Sequence, residues 1–395
     1  MAQQQLRIGI AGAGIGGLAS AALLAQRGHR VTVLDQFTTP QPVGSGLVIQ
    51  PVGQAVLSAI GAADDANRMG NPVRRMQGHE ADSGRPVLDV AYDRNDASAR
   101  GLAIHRAALF DALLTHARAA GVTIVPEARV TGRDGSTLTD AEGRRHGPYD
   151  LIVDAAGSGS PLSPMVAKPL SYGAIWGWVD WPDSPLPYDE LRQCYRRADR
   201  MIGVLPLGQV PGQTGPKAAI FWSLPRDGHA DWAARGLAAW RDEAVTLWPD
   251  FAPFAAQVTD TDQMTMARYT HGTLARPWGD GIVHIGDAAH RASPQLGQGA
   301  NMALLDALAL AHALDRVGLA EAPRAYGLAR RWHVRVYQWM SAAFTPQYQS
   351  DSRWLPALRD RLLFPASQVP PVPRVLTSLV CGTMLPPLGS LTQRQ

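Results

Sequence analysis

The stretch "GIVHIGDAAHRASPQLGQGANMALLDALAL", residues 281–310, decides the reading of this chain. Ile282 to Ile285 is a short apolar run of the kind that forms a buried strand. It ends at Gly286-Asp287, passes through a Gly/Pro-rich turn and enters a long segment of helical apolar periodicity. An aspartate at the end of a buried strand and glycines just before a helix N-terminus are costly unless a ligand sits there. Free N–H groups and the positive end of the helix dipole suit a group that carries negative charge.

A second turn of this kind lies at the N-terminus. "LRIGIAG", "AGIGG", "LASAALLAQRG" and "RVTVLD" read as strand, glycine turn, helix and strand, a βαβ unit with a right-handed crossover. Gly12, Gly14 and Gly17 have the G-x-G-x-x-G spacing. Gly12 permits the tight turn, Gly14 lets the backbone approach a pyrophosphate, and Gly17 allows close helix–strand packing. Asp35 follows the second strand where a carboxylate meets a ribose 2′-hydroxyl and repels a 2′-phosphate, which favours FAD or NAD over NADP. Residues 8–25 could also be taken for a membrane span, but their glycine load and single preceding arginine argue against it.

The bulk properties agree with an enzyme. The chain has 395 residues, 46% of them hydrophobic and 18% charged, with a formal charge of +3, values ordinary for a globular protein of two or three domains. No Lys/Arg stripe points to nucleic acid. Cys194 and Cys381 have no CxxC partner, so no zinc site, other metal site or disulfide framework is expected, and the cytoplasm is the default compartment.

The helix-like "RAALFDALLTHARAAG", the strand "VTIVP" and the strand "YDLIV" continue the α/β theme to about residue 153. From about 170 to 270 aromatic and β-branched strands follow one another, with seven of the 11 tryptophans between 176 and 248, as in a mixed or antiparallel sheet. The expected architecture is therefore α/β, a Rossmann-type FAD-binding domain with an inserted mixed sheet and a C-terminal helical tail. Residues 1–70, 98–168 and 272–345 form the discontinuous nucleotide domain, 71–97 and 169–271 the substrate-binding sheet, and 346–395 the tail. Prolines break the tail so often that its helices must be held by docking, onto their own domain rather than a membrane or a second chain.

Four motifs occur in family order: "GAGIGG" with Asp35, "GSGLVIQPVGQAVLSAIG", "AIHRAALFDALL" and "GDAAHRASPQLGQGANMALLDA". Over residues 1 to about 345 the chain resembles the single-component FAD-dependent aromatic hydroxylases, the class of para-hydroxybenzoate, salicylate and ubiquinone-type hydroxylases. The resemblance implies insertion of one oxygen atom from O2 into a small phenol-like aromatic through a flavin C4a-hydroperoxide, with NAD(P)H as reductant. It implies that Asp287 meets the ribityl chain and that the pyrimidine edge of the flavin faces Gly297, Gly299, Ala300 and Asn301. By the same resemblance Gly46 lies beside the ring, Arg106 reaches the FAD from a helix start, and the Pro294 carbonyl lies near flavin and substrate. His290 reads as structural. Trp176, Trp178, Met201, Phe221 and Trp222 are candidate substrate-pocket liners, and Tyr195 the candidate polar contact beside Pro294 in the catalytic set. A monomer or homodimer is expected.

One departure stands out. "DLIVDAAGSGSP" puts Ala156 where the family has an aspartate linked to FAD and nicotinamide use, with Asp154 two residues earlier as a possible substitute. This leaves altered reduction, an N-hydroxylase or oxidase fed by an external electron source, and a non-catalytic FAD-binding flavoprotein as alternatives. A flavin halogenase fits less well. "WGWVDWP" departs from its Trp-x-Trp-x-Ile-Pro motif, and no lysine precedes Lys168.

Overall fold

A computed structural model describes residues 4–38 and 45–391. The nucleotide domain is built on a six-stranded sheet in the order Trp278–Gly279, Ile282–His284, Leu151–Asp154, Arg7–Ala11, Arg30–Leu34 and Thr123–Val125. All its pairings are parallel except that of the short outer strand. Strands buried on both faces need continuous apolar runs, and Leu151 to Asp154 are all buried. The first helix, Ile15–Ala25, shows no polar stripe because helices Arg106–Ala119 and Gly299–Tyr348 cover it, with Leu18, Leu23 and Leu24 fully buried. Its apolar sequence is thus that of a core helix, and among the described residues no helix is long and apolar enough to cross a membrane. The long helix Gly299–Tyr348 breaks at Gly318, where φ is 71° and ψ 176°, so it is two helices end to end.

The second layer is an eight-stranded sheet, ordered His290–Arg291, Thr265–Thr273, Lys168–Asp180, Lys217–Pro225, Arg200–Leu207, Glu190–Arg196, Arg75–Glu80 and Pro86–Ala91. It is antiparallel except where Glu190–Arg196 runs parallel to Arg75–Glu80, which is the mixed sheet expected. Side chains alternate across it. Ile175, Val179, Ile202, Ile220 and Trp222 point outward into a core closed by helix His229–Leu247. Tyr195, Met201, Leu205, Leu207, Ala219 and Phe221 point inward, toward the nucleotide domain, with Trp176 packed against them.

A small sheet of Gly46–Ile49, Gly101–His105 and Asn71–Val73 joins the two layers. The tail docks as expected. Thr377 Oγ1 donates to the Ala91 carbonyl at 2.8 Å, and the Tyr337 hydroxyl donates to that of Leu379 at 2.8 Å.

Candidate active site

At the first turn each glycine has a distinct steric reason. Gly12 has φ of +100°, and a Cβ there would lie 2.5 Å from the Ala155 carbonyl oxygen. A Cβ on Gly17 would lie 2.0 Å from the Gly12 carbonyl oxygen, which forces the helix close to the strand. A Cβ on Gly14 would meet nothing within 4 Å, so its backbone borders open space at the helix N-terminus. Half-buried Asp35 accepts the Ala13 N–H at 2.5 Å and the Phe37 N–H at 3.3 Å. The acid therefore fixes the turn.

The second turn is held by side chains instead. Gly286 has φ of +55°, and its N–H donates to Asp306 at 2.9 Å. Buried Asp306 also pairs with His290 Nε2 at 2.6 Å and Arg330 Nε at 2.7 Å. Burial alone would raise its pKa, but the charges and hydrogen bonds of His290 and Arg330 hold it down to about 2. His290 is thus a structural member of this network. Asp287 next to it is exposed, and its carboxylate has no partner among the described residues.

Further on, Gly297 has φ of +60° and donates to the Pro294 carbonyl at 2.8 Å. That carbonyl is therefore engaged in its own turn. Ser293, just before it, is tied to Ser341 Oγ at 3.0 Å and Thr345 Oγ1 at 2.5 Å, while its N–H donates to His271 Nε2 at 2.9 Å. Asn301 is fully buried. Its Oδ1 accepts the Gln50 N–H at 2.8 Å, and its Nδ2 donates to Val48 at 3.1 Å and Gly297 at 2.9 Å. Its side chain is spent on clasping the small sheet to the helix, which leaves only its backbone for a ligand. A Cβ on Gly299 would meet nothing within 4 Å, and Ala300 follows it, partly buried, in the first helical turn.

Gln50 Oε1, Gln295 Nε2 and Gln298 Oε1 are buried around this turn without a hydrogen-bond partner. Orphaned polar atoms of this kind call for a ligand bearing both donors and acceptors, which the pyrimidine edge of a flavin provides. With the open space at Gly14 and Gly299, the residues present fit FAD at both ends.

Of the pocket candidates, Trp176 and Trp178 are half-buried, although they lie within the sheet on the face turned to the other domain. Phe221 packs on Trp176 with ring centroids 4.4 Å apart. Met201 shares that face but is buried deeper, in the core with Tyr195. Trp222 is a correction. It follows Phe221 in the strand, so it points to the opposite face, into the outer core beside Trp240. Tyr195 is a second correction. Its hydroxyl donates to Gln193 Oε1 at 2.8 Å, and Tyr348 and Arg359 cover its ring, so it is a core residue and not an open polar contact. The phenol that sequence reading missed is Tyr269, whose hydroxyl accepts the Trp176 indole N–H at 2.7 Å. Its strand, Thr265–Thr273, alternates too weakly in hydrophobicity to announce an inward face.

Gly46 presses on the central sheet, where a Cβ would lie 2.4 Å from Leu207 Cδ2. Exposed Arg106 opens its helix, its N–H donating to the Ser45 carbonyl at 3.1 Å. Asp154 does not take over for the missing aspartate at Ala156. Its carboxylate is fully buried, bonded to His284 Nδ1 at 2.7 Å, to Ser160 Oγ at 2.7 and 2.8 Å, and to the Ala156 N–H at 3.2 Å. A cavity of about 410 Å³ lined by Asn71, Arg74, Arg100, Tyr188 and Asp189 includes no residue of either glycine turn.

With this geometry in view, the comparisons are consistent. A family model described as "FAD binding domain" matches residues 5–326. A putative 2-heptyl-3-hydroxy-4(1H)-quinolone synthase of Rhodococcus erythropolis is 28% identical over 84% of this chain and 86% of its own length. A 6-hydroxynicotinate 3-monooxygenase of Bordetella bronchiseptica is 25% identical over 82% and 87%. Among solved structures, tetrameric 2-methyl-3-hydroxypyridine-5-carboxylic acid oxygenase superposes with a TM-score of 0.78 at 21% identity, covering 95% of this chain and 96% of that one. The open space at the Gly14 and Gly299 turns agrees with these matches: the chain belongs to the FAD-binding-domain family and is an FAD-dependent monooxygenase of the aromatic-hydroxylase type.

Proposed function

We propose that the protein inserts one oxygen atom from O2 into a small phenol-like aromatic, held between the Pro294 turn and the Trp176–Phe221 face, with NAD(P)H as reductant. What supports this reading is the occurrence, in and beside one glycine turn that opens a helix, of three buried glutamine groups without hydrogen-bond partners, together with the aromatic Trp176–Phe221 face of the sheet. Bound FAD supplies electron transfer and oxygen activation. The chain's own residues do the rest. Asp35 and the Gly12–Gly17 turn hold the adenosine end, Arg106 supplies positive charge to the phosphates, and Asp287 hydrogen-bonds the ribityl chain. Backbone N–H groups at Gly297, Gly299, Ala300 and Asn301 stabilise negative charge at the pyrimidine edge. Gly46 lets the small sheet approach the ring. The Pro294 turn and Trp176, Trp178, Phe221 and Met201 orient the aromatic and exclude water.

The test is a screen of phenols and related aromatics with the FAD-loaded protein, reading stimulated NAD(P)H oxidation together with product mass. A product with one added oxygen supports the reading. An FAD-bound protein that no aromatic stimulates, with no oxygen gained, overturns it.

The commitment of Asp154 to His284 and Ser160 favours a second reading of the reductive half, in which an external donor replaces NAD(P)H. Rapid, saturable bleaching of the flavin by NADH or NADPH in stopped flow removes that alternative. The proposal includes a cytoplasmic protein that is a monomer or homodimer, checked by sedimentation velocity and cell fractionation.

A further inference from the structure

The chamber wall is short of usable charge. On the inward face, Lys217 is buried and paired with the Asp180 carboxylate, with its ammonium 5.8 Å from the Trp178 ring centroid. Buried Arg359 is bonded to Asp360 at 2.6 Å and to the carbonyls of Arg197 and Gln347 at 3.1 and 2.9 Å, and it lies over the rings of Tyr195 and Tyr348. His271, beside the Pro294 turn, accepts the Ser293 N–H on Nε2, which requires an unprotonated nitrogen there, and burial lowers its pKa. Of the other arginines of these strands, Arg75, Arg192, Arg196, Arg200 and Arg268 pair with Asp89, Glu190, Asp199, Glu243 and Asp227, and Arg291 donates to the Asp287 carbonyl. Arg200 lies over Trp222, and so on the outward face.

What the wall offers instead is a neutral donor. Tyr269 accepts the Trp176 N–H, and its own O–H has no acceptor among the described residues. Burial raises the phenol pKa well above its usual range, so the proton stays on.

From this we infer that the site takes an uncharged aromatic bearing a carbonyl or hydroxyl oxygen, held by the Tyr269 hydroxyl, and rejects carboxylated rings. The inference rests on the functional reading above and narrows its substrate class. A carboxylate entering this chamber loses its water and finds the two buried cations of the inward face, Lys217 and Arg359, already paired with Asp180 and Asp360. A carbonyl or hydroxyl oxygen needs only one donor, and Tyr269 has one to give.

The experiment uses matched probes on the FAD-loaded protein, 4-quinolone against 4-quinolone-2-carboxylate and 4-hydroxybenzamide against 4-hydroxybenzoate. Binding is read as perturbation of the flavin absorption band, which needs no turnover. The neutral member of each pair is expected to bind at least about tenfold more tightly, since a buried unpaired charge costs more than a lost hydrogen bond. Tyr269→Phe is expected to weaken the neutral probes about three- to tenfold, the worth of one hydrogen bond, without changing the ranking. Asp180→Asn, which frees Lys217, is expected to improve binding of the carboxylates selectively. Equal or tighter binding of the carboxylates, or no binding of either neutral probe, overturns the inference. Neutral probes that bind but never stimulate NAD(P)H oxidation or gain oxygen would count against the functional reading while leaving the charge preference intact.

Discussion

The two glycine turns proposed to hold opposite ends of FAD are built by different means. At Gly12–Gly17 the backbone is shaped by the absence of side chains, with contacts of 2.0 and 2.5 Å awaiting any added Cβ. At 286–301 the backbone is pinned by side chains from elsewhere: Asp306, Arg330, Ser341 and Thr345 from the long helix, and Asn301 reaching back to Val48. The first turn is a local solution and the second a tertiary one. They should therefore fail differently.

The largest effect is expected at the second turn. Asp306→Ala leaves the Arg330 guanidinium buried without its carboxylate, a loss of about 3–5 kcal/mol, together with loss of bound FAD. Equilibrium denaturation measures it, and a loss under about 1 kcal/mol would show the network to be incidental. Next comes Gly17→Ala at the first turn. Overpacking against the Gly12 carbonyl costs about 1–3 kcal/mol, and the purified protein should be colourless yet retain its circular dichroism. Should Gly17→Ala bind FAD normally, the local account of that turn is wrong. Asp35→Ala comes third, with FAD affinity reduced about tenfold, equivalent to about 1.4 kcal/mol, as read by fluorescence titration.

The smallest effect is silent at neutral pH. His333 is buried, donates toward the Gly382 carbonyl at 3.0 Å, and has its pKa lowered to about 3 by desolvation first and by Arg330 second. The folded state keeps it neutral while the unfolded chain protonates it near its ordinary value of about 6.5. Its contribution is therefore complete above that value and is lost as pH falls toward about 3. His333→Gln should flatten the acid limb of a stability–pH curve over that window. An unchanged limb would place the acid sensitivity in other groups, among them His29, His79 and His271, whose pKa values burial also lowers, and Asp306, whose depressed pKa acts lower, toward about 2.

The same contrast explains what could be read in the sequence. Gly12, Gly14, Gly17 and Asp35 were legible because backbone sterics write themselves into adjacent residues. The strand–turn–helix at 281–310 was legible as a shape, but its fastening was not. Asp306 meets Arg330 two dozen positions away on the far side of the Gly318 break, and no local pattern announces such a pair. Trp222 could have been placed correctly, since consecutive strand residues face opposite ways and Phe221 already claimed the inner side. Tyr195 obeys that parity, yet its hydroxyl is taken by Gln193 and its ring is roofed by the tail, and neither contact can be seen without the fold.

The docked tail also bears on how the second turn is held. Gln298, at the mouth of the flavin helix, donates to the carbonyl of Val380 at 2.7 Å, Arg330 donates to that of Pro387, and Gly382 packs against Val52. These three partners all lie within residues 380–387. The Gly12–Gly17 turn has no such partner in the tail, so a truncation ahead of residue 372 is expected to loosen the second turn and leave the first intact.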